Sequence, residues 1–384
     1  MFTVTRDLVL PTTITGSLPR PHWYTASLEG RSFGERRMQV EFQEQYMDAL
    51  AAYFSDQRRA GLDIVVDGDC RFDRDIGGRA WISYPLERME GLEGHSRESK
   101  FESLSQAPVG HIMRELLGGQ QWPEVTGPLA PGEMQYATLW KLAQQLSPSP
   151  VKFGTISAQC LERFVGNRHY RDDDELLAAL CDTMNAELRE LAAAGCGIVQ
   201  IEDPVIHFAA LDPAATPREI EKWVDAFNRE VRGVDAEIWY HACWGNPSQQ
   251  RISPEPQSYE RALEWMLQCD CDVITLETAS TQGADLPLLK TVDTTKKFAI
   301  GVIDHRNMQV ETPEQVAGLI RKALEYVPQE RLIVTTDCGF GREGVPRRNA
   351  LYKMISLVQG TNLVRRDLGL PEVEVPAANP QLAL

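Results

Sequence analysis

The sequence predicts a (β/α)8 barrel of the TIM type, and three observations carry that prediction. Eight short β-branched runs alternate with longer helical patterns, the signature of βα units around a parallel sheet. The chain has 384 residues, and a barrel would absorb nearly all of them as one domain, 1–384. No glycine-rich phosphate fingerprint follows the first strand, which weighs against the alternative, a doubly wound nucleotide-binding sheet.

The eight candidate strands are TTITG (12–16), LDIVV (62–66), VKFG (151–154), GIVQI (197–201), EIWYH (237–241), DVITLE (272–277), FAIGV (298–302) and RLIVT (331–335). Between them lie amphipathic helices. DELLAALCDTMNAELRELAAAG places Leu176, Leu177, Leu180, Met184, Leu188 and Leu191 on one face, with Gly195 set to end it. TPREIEKWVDAFNREVRG and TPEQVAGLIRKALEYV both open on Thr-Pro, a cap followed by proline in the first turn. One connection is too long for a helix and two loops. Residues 67–150 separate the second and third strands, and this insertion is expected over the barrel mouth, with an antiparallel hairpin. The proline-rich end, residues 370–384, reads as a loose or partner-docked tail.

Composition limits the partners. Apolar residues make up 43% and charged residues 24%, a soluble globular balance, and the formal net charge is −16. That charge argues against nucleic acid or an anionic membrane as partner. No apolar run reaches the length of a membrane span, and the opening residues lack a basic segment followed by an apolar one. The expectation is a cytoplasmic protein, with a homo-oligomer left open. Eight cysteines in a chain this long do not make a disulfide scaffold. Most are expected in the core, including Cys269 and Cys271, which precede a strand at its non-catalytic end. His22 and His207 are likewise expected to be structural.

In a barrel the working residues sit at the C-terminal ends of the strands. Those positions hold Gly16 and Ser17, Asp67 to Asp69, Glu202 and Asp203, His241 and Cys243, Glu277, Asp304, and Asp337 and Cys338. His241, Cys243, Glu277 and Cys338 come from strands five, six and eight and face one mouth. Imidazole, carboxylate and two thiolates are donors that Zn2+ takes in four-coordination. None of them forms a local CxxC pair, so convergence carries the prediction rather than spacing. Two thiolates and a carboxylate make the site formally anionic, a poor acidifier of water. Such a site suits a metal that binds a substrate thiol and keeps its sulfur nucleophilic.

The segments TTITGSLPR, DIVVDGD, EVTGPL, GIVQIEDP, YHACWGN, DVITLETAS, GVIDHRNMQVETPEQVA and RLIVTTDCGFG resemble the catalytic barrel of cobalamin-independent methionine synthases and their short one-domain relatives. The likeness runs from about residue 12 to 360, and its most specific segments hold the family's four zinc positions, here His241, Cys243, Glu277 and Cys338. It implies a zinc-dependent thiol methyltransferase acting on homocysteine to give methionine. It also implies a substrate-binding set in which the backbone at Ser17 holds the amino-acid carboxylate. Asp69 and Glu202, with Asp203 in the same wall, would face the ammonium group. Asp304 and His305 are the candidate catalytic residues after strand seven.

Three positions depart from the family. Glu202-Asp203-Pro204 replaces Asp-Glu-Pro, Gly68-Asp69 replaces Gly-Glu, and a gapless match puts Arg306, not His305, where the full-length enzymes carry a proton-donating histidine. The N-terminal half of the folate-dependent enzymes has no counterpart here. The expected methyl donor is methylfolate, methylcobalamin or a corrinoid protein, with another small electrophile left open. The alternative activity keeps the zinc and changes both reactants, as in relatives that open epoxides with coenzyme M. A non-enzymatic zinc-binding barrel is the third reading.

Overall fold

The computed structural model describes residues 2–73, 79–96, 121–244, 257–341 and 344–379. Its strands are β1 (Val65–Val66), β2 (Glu90–Ser96), β3 (Trp122–Ala130), β4 (Val151–Ile156), β5 (Gly166–Asn167), β6 (Ile198–Glu202), β7 (Glu237–Ala242), β8 (Val273–Leu276), β9 (Lys297–Gly301) and β10 (Leu332–Thr335). Seven of them form one sheet in the order β1-β4-β6-β7-β8-β9-β10, with every pairing parallel. Helices intervene between most consecutive strands, so the architecture is α/β and TIM-barrel-like.

Both edges of this sheet approach the same segment. Thr13 N–H donates to Val334 O and Val334 N–H to Pro11 O, while Asp63 and Ile64 N–H both donate to Thr12 O. The expected strand 12–16 is reduced to a single bridge at Thr12, and the expected strand 62–66 to two residues. Side chains explain the loss of regularity. The Asp63 carboxylate takes Thr12 N–H and Oγ1, and Arg365 Nη2 binds the same oxygen, replacing ladder bonds with side-chain bonds.

The helices end where their chemistry dictates. Asp172 caps helix Asp173–Ala193 by accepting Glu175 N–H, and Gly195 follows it at φ 108°. Thr216 and Thr312 each form a reciprocal capping box, with Glu219 and Gln315, and proline follows both caps.

The core of the sheet is built in layers. Ile64, Ile198, Trp239, Val273, Ala299 and Ile333 pack together at the N-terminal end of the strands, and Phe2, Val4 and Leu8 close that end. Glu237 anchors this plug by accepting Thr3 and Thr5 N–H, each at 2.7 Å. Along β6 and β7 the residues one pleat further on are Gln200 and His241, followed on β6 by Glu202, which lies in register with His241. The site is therefore built on top of a sealed apolar floor.

The long connection carries helix Arg79–Leu86 and an antiparallel pair, β2 with β3. β5, from the segment after β4, joins β3 in parallel, which the sequence did not announce. A Cβ on Gly16 would meet the Trp81 ring at 3.6 Å, so this helix leans on the end of the first strand segment. Residues 74–78 and 97–120 of the insertion and 380–384 of the tail lie outside the described residues. No helix among the described residues is long and apolar enough to cross a membrane.

Candidate metal centre

His241 and Cys243 stand at the end of β7, Glu277 directly after β8, and Cys338 three residues after β10. Their positions are fixed by backbone bonds. Tyr259 Oη donates to Ala242 O at 2.9 Å and accepts Glu277 N–H at 3.0 Å, tying β7 to β8. Trp244 N–H donates to Glu277 Oε1 at 3.1 Å. The Asp337 carboxylate accepts the N–H groups of Thr278, Ala279 and Ser280 at 2.8–2.9 Å, tying the Cys338 loop to the Glu277 loop.

One donor atom from each of His241, Cys243, Glu277 and Cys338 lies within 4.8 Å of the other three, and all four residues are buried. The two sulfurs are 4.0 Å apart and not bonded to each other. Tetrahedral zinc with Zn–S near 2.3 Å needs sulfurs about 3.8 Å apart, so the pair fits the ion with little adjustment. Glu277 Oε2 is buried with no hydrogen-bond partner. A buried carboxylate oxygen left unpaired is costly, and a cation satisfies it. Burial, the Cys243 thiol and Asp337 push the Glu277 carboxyl well above its ordinary range. A bound dication would reverse that, since it favours the ionised forms of all three acidic donors.

A second group shares a member with the first. Glu277, His305 and Asp337 also place donor atoms within 4.8 Å of one another. His305 is therefore brought to the centre, fully buried. Asp304 is partly exposed and accepts Arg306 N–H at 2.9 Å. Asp337 is pushed up to about 7 by burial, with Asp304 adding to the shift and the three N–H bonds opposing it.

The remaining expected site residues are distributed as follows. Ser17 is buried with Oγ unpartnered and lines a cavity of about 810 Å³ together with Asp69, Phe72, Trp81, His22 and Arg348. Asp69 adopts φ 53° after Gly68 at φ 67° and is paired with Arg71 Nη1 at 3.1 Å. Arg71 also reaches Asp67 and donates to Gly154 O at 2.7 Å, so Asp69 already has a cation. Glu202 Oε2 lies 3.3 Å from His241 Nε2. Burial pushes His241 down, but Glu202 and Cys243 outweigh it and the net shift is upward. Asp203 accepts Val205 N–H at 3.0 Å and a bond from Gln159 Nε2, and burial raises it to about 7. His207 pairs with Gln257, which in turn holds Trp244 O, and burial pushes it down to about 4.

Sequence reading passed over Arg71, Tyr259 and Lys152. The signal was present for the last: a lysine in the short apolar run VKFG is a charge inside a strand whose residues are nearly all buried.

The model of the cobalamin-independent synthase catalytic domain matches residues 155–359. A methionine synthase of Saccharolobus solfataricus is 28% identical over 362 residues, covering 94% of this chain and 96% of the relative. One from Sulfolobus acidocaldarius is 28% identical over 367 residues, covering 94% of each. Among solved structures, a B12-independent methionine synthase from Shewanella sp. W3-18-1, in complex with selenomethionine, superposes with a TM-score of 0.74 at 23% identity, covering 94% of this chain and 99% of that one. A methyltransferase from Methanosarcina mazei superposes with a TM-score of 0.53 at 13% identity, covering 91% and 94%. These two likenesses show the shared fold.

Proposed function

The chain belongs to the cobalamin-independent methionine synthase family, and from that premise we propose that it transfers a methyl group to the thiol of homocysteine at a zinc ion held by His241, Cys243, Glu277 and Cys338. The single observation behind this reading is the convergence of those four buried donors within 4.8 Å. Zinc in such a set lowers the pKa of a substrate thiol and keeps its sulfur nucleophilic. The sulfur attacks the donor's methyl carbon, and the donor leaves with the bonding electron pair.

The chain's own residues prepare that step. Glu277, whose Oε2 has no other partner, is the ligand proposed to yield its place to the thiol. His305, beside both Glu277 and Asp337, and Asp304 on the adjoining loop are assigned to proton handling. Ser17 and the acids Asp69 and Glu202 form the amino-acid pocket, Asp69 sharing its charge between Arg71 and the substrate ammonium. Asp203, with its bonds to Val205 and Gln159, shapes the wall. We read the sheet as a closed (β/α)8 barrel in one domain, completed by segment 11–15, in a cytoplasmic enzyme. The donor is a methylfolate or a methylated corrinoid, free or protein-bound.

Zinc-edge X-ray absorption of the metal-loaded protein tests the proposal. Homocysteine should add one sulfur to the coordination shell and remove one oxygen. An unchanged shell at saturating homocysteine would refute the thiol-activation reading.

A further inference from the structure

Lys152 has no role in the site described above, yet it is 1% exposed in the interior of the sheet. Burying an ammonium is expensive unless its protons are satisfied. Here Nζ donates to Ile14 O at 2.9 Å and to Gln200 Oε1, and stands 4.7 Å from the Trp239 ring centre. Gln200 Nε2 then donates to Glu202 Oε1 at 2.9 Å, and Glu202 Oε2 faces His241 Nε2 at 3.3 Å.

We infer that Lys152 is a positioning residue for the metal ligand His241, acting through Gln200 and Glu202. Burial pushes the Lys152 amine down to about 7, with Glu202 and Asp69 opposing it. In its charged form, which the Glu202 carboxylate favours, it can only donate. The Gln200 amide then turns its oxygen to Lys152 and its NH2 to Glu202, as in the structure. The carboxylate, which can only accept, is held with its other oxygen toward the imidazole. The 3.3 Å contact is an ion-pair distance that does not meet hydrogen-bond geometry here; brought into line, the carboxylate would take Nε2–H and leave Nδ1 for the metal. A carboxylate behind a ligating histidine fixes its tautomer and ring orientation and raises its basicity. Without Lys152 the amide is free to flip and point its oxygen at Glu202, which releases the carboxylate. The lysine also offsets the negative charge that Glu202 adds beside an anionic donor set. Residues on three adjacent strands, β4, β6 and β7, thus form one directed line from the barrel interior to the metal.

This inference rests on the zinc site proposed above, and the experiment separates the two. Zinc affinity is measured by chelator competition on the intact protein for wild type, Lys152→Met, Gln200→Met, Glu202→Gln and the Lys152→Met/Glu202→Gln double variant. The electronic spectrum of each cobalt-substituted protein is recorded alongside. Lys152→Met should weaken zinc by about 10–100-fold, the effect typical of a lost outer-shell partner, and shift the cobalt bands. The double variant should bind no more weakly than Glu202→Gln alone, because both changes break one line. Should Lys152→Met fail to fold, Gln200→Met breaks the same line and is expected to behave alike. Wild-type affinity in the single variants, or losses that multiply in the double variant, would overturn the relay. Failure of the wild-type protein to bind zinc would instead overturn the reading beneath it.

Discussion

Adding one methyl group at Gly301 should empty the metal site without touching a ligand. Gly301 ends β9, and a Cβ built there lies 2.7 Å from Asp337 Cα and 2.8 Å from Asp337 N, with Asp337 Oδ1 nearer still. Ordinary carbon contacts begin near 3.4 Å, so Asp337 must retreat by about 0.7 Å. It cannot retreat alone. Its N–H is bonded to Ile303 O, and its carboxylate holds the N–H groups of 278–280. Cys338 follows it directly and Glu277 directly precedes the bonded loop, so two of the four donors move with it. Metal–ligand distances are held to within about 0.2 Å, and the displacement is several times that. Gly301→Ala should therefore cost about 1–3 kcal/mol by overpacking and lose most of its zinc in metal analysis of the purified protein. Gly318→Ala is the control, since a Cβ there meets nothing within 4 Å and the position lies inside helix Pro313–Leu324. It should keep full zinc and match or exceed wild-type stability. Full zinc occupancy in Gly301→Ala would refute the claim that the β9–β10 contact sets the spacing of the donors.

Cys243→Ser and Cys338→Ser should each lose most of the zinc, whereas Glu277→Gln should keep more than either; deeper loss in Glu277→Gln would show that Glu277 is not the exchangeable ligand. Asp69→Asn should weaken homocysteine by roughly 2–5 kcal/mol while sparing a thiol without an amine, measured by titration of both thiols at one pH; equal losses would assign this acid to the metal site or the fold. Glu187, raised to about 7 by burial while accepting Tyr136 N–H, gives a pH signature. Its folded pKa exceeds the unfolded value near 4.5, so the stability it contributes is full below about pH 4.5 and lost as pH rises through about 7. Glu187→Gln should then match wild type near pH 4.5 and exceed it by up to about 3 kcal/mol at pH 8, read by denaturant unfolding; a constant difference across pH would refute this.

Much of this molecule is readable in its sequence because strand and helix periods are local. The Thr-Pro caps at 216 and 312 and the end of the helix before Gly195 follow from neighbours a few residues away. The four donors were legible for a related reason, since the end of a strand is also the mouth of the sheet. What was not legible depends on partners distant in the chain. The Arg71 counter-ion of Asp69 becomes visible only when Gly154 is placed behind it. Tyr259 reads as an ordinary aromatic until β7 and β8 lie side by side. The strand expected at 12–16 is lost to the Asp63 and Arg365 side chains, a competition between bonds that no window of sequence contains.

The plug at the closed end of the sheet dictates an order of assembly. Thr3 and Thr5 find their acceptor in Glu237, more than 230 residues away along the chain, and Lys297 Nζ completes the clasp on Thr5 O. Contacts of such sequence separation carry a loop-closure penalty that the intervening strands must meet first. On a ribosome, residues 2–8 emerge ahead of β7 and β9 and have nowhere to dock until those strands have been made. Phe2, Val4 and Leu8 therefore stay unsheltered through that interval, and their seating waits on β9.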